Sequence, residues 1–193
     1  MYNSFIMNEV TMQQVHGDSV VIVSKKDEGT KIPNCDGLIT NDHNITLVVN
    51  TADCLPISII DRKNNVISLV HAGWRGLENG IVINAVNILK DKFKSDPKLL
   101  KVSVGPHICE KHYEVQNDVY SQFESIRGAV KSNNGKFYLS LFNVLKSQLQ
   151  TLGVLDKNIK VDARCTFEDK TLPSYRRGDR DKRMTTTLNI KSS

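Results

Sequence analysis

The sequence predicts one mixed α+β domain, with helices packed on a largely antiparallel or mixed β-sheet. Three observations carry that expectation. β-Branched runs of strand length recur along the chain, and several are joined by short polar loops rather than by helices. Other segments repeat their apolar residues every fourth position, the period of an amphipathic helix. No linker divides the 193 residues, of which 39% are hydrophobic, enough for a single substantial core.

The elements follow in order. "SVVIVS" (19–24) and "ITLVV" (45–49) read as strands, and between them the turn residues of "PNCDGLITNDHN" frame a short strand, "LIT". "LPISIID" (55–61) and "VISLVH" (66–71) flank "RKNN", which reads as a β-hairpin. After "AGWRG" the period changes: Ile81, Ala85, Leu89 and Phe93 predict a helix that ends at Ser95-Asp96-Pro97. "KVSVG" (101–105) is a strand closed by Gly105-Pro106. Val115, Val119 and Phe123 predict a second helix; Leu141, Leu145, Leu149 and Leu152 predict a third, stopped by Gly153. "IKVDARCT" (159–166) is strand-like and runs into "SYRRGDRDKR".

Several function classes are excluded at this level. "MYNSFIMNEVTMQQ" is not a secretory signal, and the longest apolar runs fall far short of a membrane span, so a soluble cytoplasmic protein without membrane partners is expected. The four cysteines (35, 54, 109 and 165) form no CxxC pair and read as free thiols or metal ligands rather than disulfides. Net charge is +5, and residues 164–183 hold seven Lys or Arg against four Asp or Glu. No nucleic-acid-binding pattern accompanies that cluster, so nucleic acid is not expected; guanidinium groups there suit a small anion such as phosphate.

Cys54 and His71 stand at the two ends of the predicted hairpin. If all four residues of "RKNN" form the loop, Asp61 pairs with Val66 and His71 falls opposite Pro56; if only Asn64 and Asn65 form it, His71 falls opposite Ser58. Either register puts Cys54 and His71 on one face, whereas a three-residue loop would separate them. In the longer-loop register they are diagonal neighbours, roughly 7–8 Å apart at the backbone end. That separation is compatible with one shared metal, given Zn–S and Zn–N bonds of about 2.3 and 2.0 Å. On chemistry alone His16, His43, His107, Cys109 and His112 all compete for the place of a third ligand, and "HICEKH" (107–112) is the richest stretch in donors.

"QVHG" (14–17), "DGLIT" (36–40), "TADCLP" (51–56), "HAGWRG" (71–76), "GPHICEKHYEV" (105–115), "CT" (165–166) and "SYRR" (174–177) together resemble the YfiH/laccase-domain family. That family carries the older label of multicopper polyphenol oxidase and is understood as purine nucleoside phosphorylases with deaminase activity. The resemblance runs from about residue 13 to the C-terminus. It implies a layered sandwich of mixed β-sheets flanked by helices, and a zinc ion held by His16, Cys54 and His71, with Cys54 and His71 at the catalytic centre. Two imidazoles and a thiolate leave a fourth position open, as in catalytic rather than structural zinc sites. A purine nucleoside and phosphate are the substrates implied, and Arg75, Arg176 and Arg177 are the candidates for binding the anion or the nucleoside. Trp74 reads equally as a pocket wall or as core, Gly73 and Gly76 as places where the backbone turns tightly, and Asp53 as a structural carboxylate. By the same resemblance His107, Cys109 and His112 are not metal ligands, despite their chemistry. Two alternatives accompany this reading: a copper oxidase, which needs far more than five histidines, and a non-catalytic domain binding nucleotide or protein through its basic stretch. Relatives usually carry several dozen residues before "QVHG", with an Arg- and Gly-containing segment; the chain is expected to lack it, and phosphate binding to suffer. Lys182-Arg183 stands where the family usually has Gly-Arg.

Overall fold

Strands outnumber helices in the residues that the structure, a computed structural model, describes: 8–190. The first half of the chain forms β1 (Glu9–Met12), β2 (Val20–Ile22), β3 (Lys31–Ile32), β4 (Gly37–Thr40), β5 (Thr46–Thr51), β6 (Leu55–Asp61) and β7 (Val66–Ala72), then α1 (Trp74–Glu78) and α2 (Ile81–Phe93). The second half forms β8 (Lys101–Val104), β9 (Glu114–Val115), α3 (Asn117–Phe123), β10 (Val130–Asn133), β11 (Lys136–Leu139), α4 (Leu141–Thr151), β12 (Ile159–Val161) and β13 (Met184–Asn189). They assemble into a mixed six-stranded sheet ordered β12-β8-β6-β7-β4-β2, a four-stranded sheet ordered β13-β5-β1-β3, and a small antiparallel sheet ordered β10-β11-β9. The fold is thus a mixed arrangement of α and β elements with several sheets and few helices. No described helix is long and apolar enough to cross a membrane.

The apolar pattern explains the layering. All seven residues of β7 are buried, because each face of its sheet is covered by a different partner. Val66, Val70 and Ala72 share a core with Ile81, Val82, Ala85 and Leu89 of α2 and with Leu145 and Leu149 of α4. Ile67 and Leu69 share a second core with Val10 and Met12 of β1 and Leu47 and Val49 of β5. By strand alternation His71 lies on the same side as Ile67 and Leu69, toward the four-stranded sheet.

The hairpin adopts the register of the longer loop: Asp61 pairs with Val66 and Pro56 with His71. Asp61 enforces it, its carboxylate accepting from the amides of Lys63 (2.9 Å) and Asn64 (3.2 Å) and from the Asn64 side chain (2.7 Å). The expected α2 holds from Ile81 to Phe93 and ends on Lys94, left-handed at φ 57°, immediately before Ser95-Asp96-Pro97. Gly153, at φ 89°, closes the region after α4 as its sequence position predicts.

Three expectations need correction. Val115 does not open a helix; it pairs with Phe137 in the small sheet, and α3 begins only at Asn117. Of "IKVDARCT" only Ile159–Val161 is strand; the rest leaves the sheet and touches it again through a single bridge from Cys165 to His107. Strands β1, β3, β10, β11 and β13 fall outside the strands that the sequence predicts. β13 alternates half-buried and exposed residues and reads as polar, "MTTTLN", because it is an outer strand with one face in solvent.

Candidate functional site

The chain brings His16, Cys54 and His71 together where the two larger sheets meet. Their ligand-capable atoms lie within 4.8 Å of one another, and the two imidazoles meet edge to face with centroids 4.8 Å apart. Each comes from a different element. His71 is the penultimate residue of β7, Cys54 immediately precedes β6, and His16 stands in the loop from β1 to β2 with a left-handed φ of 61°.

Asp36, fully buried, organises this junction. Its carboxylate accepts three backbone amides of the "QVHG" loop: Val15 at 3.1 Å, His16 at 3.0 Å and Gly17 at 2.9 Å. It also accepts a hydrogen bond from His71 Nδ1 at 2.7 Å, and its backbone carbonyl accepts the His71 amide at 2.7 Å. One side chain therefore holds the His16 loop and Nδ1 of His71, leaving His71 Nε2 to face Cys54. Burial alone would raise the Asp36 carboxyl; hydrogen bonds from His71 and the loop amides reverse that and hold it below its usual 3.8. Asp36 belongs to the quoted "DGLIT" motif, but nothing in its spacing signals this role.

The electrostatics of the trio are reciprocal. Burial pushes the Cys54 thiol up, but hydrogen bonding to His16 and His71, with their charge, brings it down to about 7. Burial pushes His71 down, while hydrogen bonds to Asp36 and Cys54 raise it to about 9. Two imidazoles and a cysteine sulfur form a donor set that could hold a metal ion. Close packing matters here too: a Cβ on Gly73 would sit 3.0 Å from Cys54 Sγ and 3.2 Å from His16 Cδ2. The backbone of Gly73 has an ordinary φ of −86°, so this glycine serves close approach rather than a tight turn. Gly76 does the same, its missing Cβ falling 3.1 Å from the Gly17 carbonyl oxygen.

The trio lies in a pocket of about 870 Å³, within the range of small-molecule sites. Arg75 and Arg176 line it, and so do Lys31, Arg183, Tyr113 and Tyr175, which sequence reasoning did not single out. Arg75 stacks over Trp74 at 4.3 Å and Arg176 over Tyr113 at 5.0 Å. Trp74 is both wall and core, half-buried against the helical layer while facing the pocket. Arg176 is steadied by donating to the Glu114 carbonyl at 2.8 Å.

Arg177 is placed elsewhere. Its guanidinium donates to the carbonyls of Thr166 (2.5 Å), Phe167 (3.0 Å) and Leu172 and pairs with Asp179 at 2.6 Å, bracing the basic loop from inside. Asp53 also lines the pocket, and strand alternation does not orient it: it adopts φ 84° before β6. Its carboxylate accepts from Thr166 Oγ1 at 2.6 Å and the Arg176 amide at 2.7 Å. His43 and His107 take no part in the trio, and Cys109 and His112 lie in a separate cluster.

Residues 3–191 match the family described as multi-copper polyphenol oxidoreductase laccase. Among curated proteins, the chain is 32% identical over 170 residues to a purine nucleoside phosphorylase of Mycobacterium bovis, covering 87% of this chain and 66% of that protein. It is 33% identical over 183 residues to a protein of the same name from Campylobacter jejuni, covering 94% and 77%. The chain thus spans just under two thirds of the length of the mycobacterial relatives. Two solved structures share the fold: the hypothetical protein YfiH of Bacillus licheniformis (TM-score 0.90, 27% identity, 96% of this chain and 75% of that one) and YlmD of Geobacillus stearothermophilus (TM-score 0.90, 29% identity, 96% and 74%).

Proposed function

From the premise that this chain belongs to the multi-copper polyphenol oxidoreductase laccase family, we propose that it is a zinc-dependent purine nucleoside enzyme. It cleaves adenosine or inosine, and methylthioadenosine as a further candidate, with phosphate to the free base and ribose 1-phosphate; it also deaminates adenosine to inosine. The observation that carries this reading is the convergence of two imidazoles and one thiol at a pocket walled by arginines and aromatic rings. The purine nucleoside phosphorylase names of its relatives support the substrate class.

The donor set fits zinc. His16, Cys54 and His71 would hold the ion, with Asp36 orienting His71 behind it. Zinc bound by three protein ligands supplies Lewis acidity, bringing the pKa of a bound water to about 7. Copper-oxidase chemistry suits the chain poorly, because a multicopper centre needs far more than its five histidines.

Tyr113, Tyr175 and Trp74 offer faces on which a purine stacks and from which bulk water is excluded. Arg75 and Arg176 present guanidinium groups that bind phosphate. In phosphorolysis a phosphate oxygen bonds to ribose C1′ as the C1′–N9 bond breaks, and the electron pair departs with the purine, which takes up a proton. The arginines hold the phosphate in line for that attack. In deamination the C6 amino group leaves as ammonia and a water oxygen replaces it. His71, as a neutral imidazole bonded through Nδ1 to Asp36, would keep that Nδ1 proton while Nε2 serves as the ligand.

Product analysis by chromatography tests the proposal. Zinc-loaded protein with adenosine should give inosine without phosphate, and adenine or hypoxanthine only with phosphate. Both should vanish in Cys54→Ala. A wild-type chain that retains zinc and yields neither product would overturn the reading.

A further inference from the structure

The donor-rich "HICEKH" stretch is gathered with a second segment, residues 165–168. Cys109 and His112 are spaced C-x-x-H, and Cys165 and Glu168 are spaced C-x-x-E. The bridge between His107 and Cys165 sets these two loops side by side, and the Thr166 amide donates to the His107 carbonyl at 3.1 Å. The ligand-capable atoms of Cys109, Cys165 and Glu168 consequently lie within 4.8 Å of one another. Cys109 Sγ is 3.9 Å from Glu168 Oε1. The Cys109 amide donates to Cys165 Sγ at 3.2 Å, treating that sulfur as an acceptor in the way a ligating thiolate is held. His112, stacked on Phe167 with centroids 4.5 Å apart, bonds through Nε2 to Glu168 Oε1 at 2.9 Å and aims the carboxylate.

We propose that Cys109, Cys165 and Glu168 form a second metal site, for a thiophilic divalent cation such as Zn2+, with His112 as the residue that positions Glu168. Zinc bonds of about 2.3 Å to sulfur and 2.0–2.2 Å to oxygen put tetrahedral ligand atoms roughly 3.5–3.8 Å apart, so closure on the ion needs only small side-chain movements. Binding displaces the two thiol protons to solvent. Both cysteines are free, and Cys165 is buried while Glu168 is exposed, so the ion seals the mouth of the cluster from outside.

The site braces the pocket. Tyr113, next to His112, lines the pocket, and Arg176 donates to the His112 carbonyl at 3.4 Å. Thr166, next to Cys165, bonds to Asp53, the neighbour of Cys54. A cation there ties residues 105–115 to residues 164–177 at the two points where both touch the first site.

Metal stoichiometry and cobalt spectroscopy on reduced, folded protein test this independently of turnover. Wild type is expected to bind two Zn2+ per chain, and Cys54→Ala, which lacks a ligand of the first site, one. With Co2+, Cys54→Ala should keep a sulfur-to-cobalt charge-transfer band that Cys54→Ala/Cys109→Ser loses. His112→Ala should weaken the second ion about 10–100-fold with unchanged far-UV circular dichroism. Should Cys54→Ala fail to fold, Cys109→Ser in the otherwise native chain gives the same reading, with stoichiometry falling from two to one. One zinc per wild-type chain overturns the proposal, as does a stoichiometry untouched by Cys109→Ser. A Cys109–Cys165 disulfide that persists under cytosolic reducing poise overturns it too.

Discussion

Cys54 is packed between His16 and His71, whereas Cys109 faces Cys165 and Glu168. Burial raises both thiols. At Cys54 the two imidazoles override it and the thiol comes down to about 7; at Cys109 the neighbouring sulfur and carboxylate add to it and the thiol goes up to about 11. The contrast shows that a cysteine's chemistry is set by the sign of its neighbours rather than by its burial. The imidazoles thus favour the Cys54 thiolate, while the neighbours of Cys109 favour its neutral thiol.

The comparison breaks first at activity. Cys54→Ala should reduce nucleoside turnover to background, while Cys109→Ser keeps most of it, because only the first cluster opens into the pocket. Equal losses in a product assay would erase the distinction. Next, alkylation of metal-free protein should label Cys54 with a midpoint near pH 7, rising with pH, and Cys109 only near pH 11. At pH 7 the thiolate fractions differ by about 10⁴, and the greater nucleophilicity of the more basic thiolate reduces the net contrast to about 10². Peptide mapping of labelled sites would read it directly.

Asp36→Asn tests whether an outer carboxylate sustains the difference, and about 10–100-fold loss of metal affinity is expected. It should also change the acid limb of stability. The Asp36 carboxyl lies below its usual 3.8 when folded, so its contribution is complete above that value and is lost as pH falls through the lowered one. Thermal denaturation of metal-free protein between about pH 5 and pH 2 should show a shallower slope in the variant. The smallest effect is expected at the link between the clusters. Thr166→Val removes the 2.6 Å bond to Asp53 and should cost about 1–3 kcal/mol of stability. A chemical denaturation curve measures it.

Much of the frame was legible along the chain. Counting "RKNN" placed Cys54 and His71 on one face but left two registers open, and the Asp61 turn decides between them; α2 and α4 followed from period, because each buries one stripe of apolar residues. The small sheet and β13 were not legible: β9 holds only two residues, and β13 is polar on its outer face, so neither carries a periodic signal of its own. At the site, Cys54 and His71 could be brought together by strand arithmetic, whereas His16 was one of several histidines until the family resemblance singled it out.

What the sequence by itself determined is local: strand and helix periods, the hairpin turn, and the residue types able to hold a metal. What the tertiary structure decided is non-local. Asp36 binding both the "QVHG" loop and His71, Arg177 turning inward while Arg176 faces the pocket, and Cys109 meeting Cys165 all join residues far apart in the chain. Periodicity reports which face of an element avoids water, but it carries no record of which other segment arrives there; hydrogen bonds and charges take their strength from that arrival.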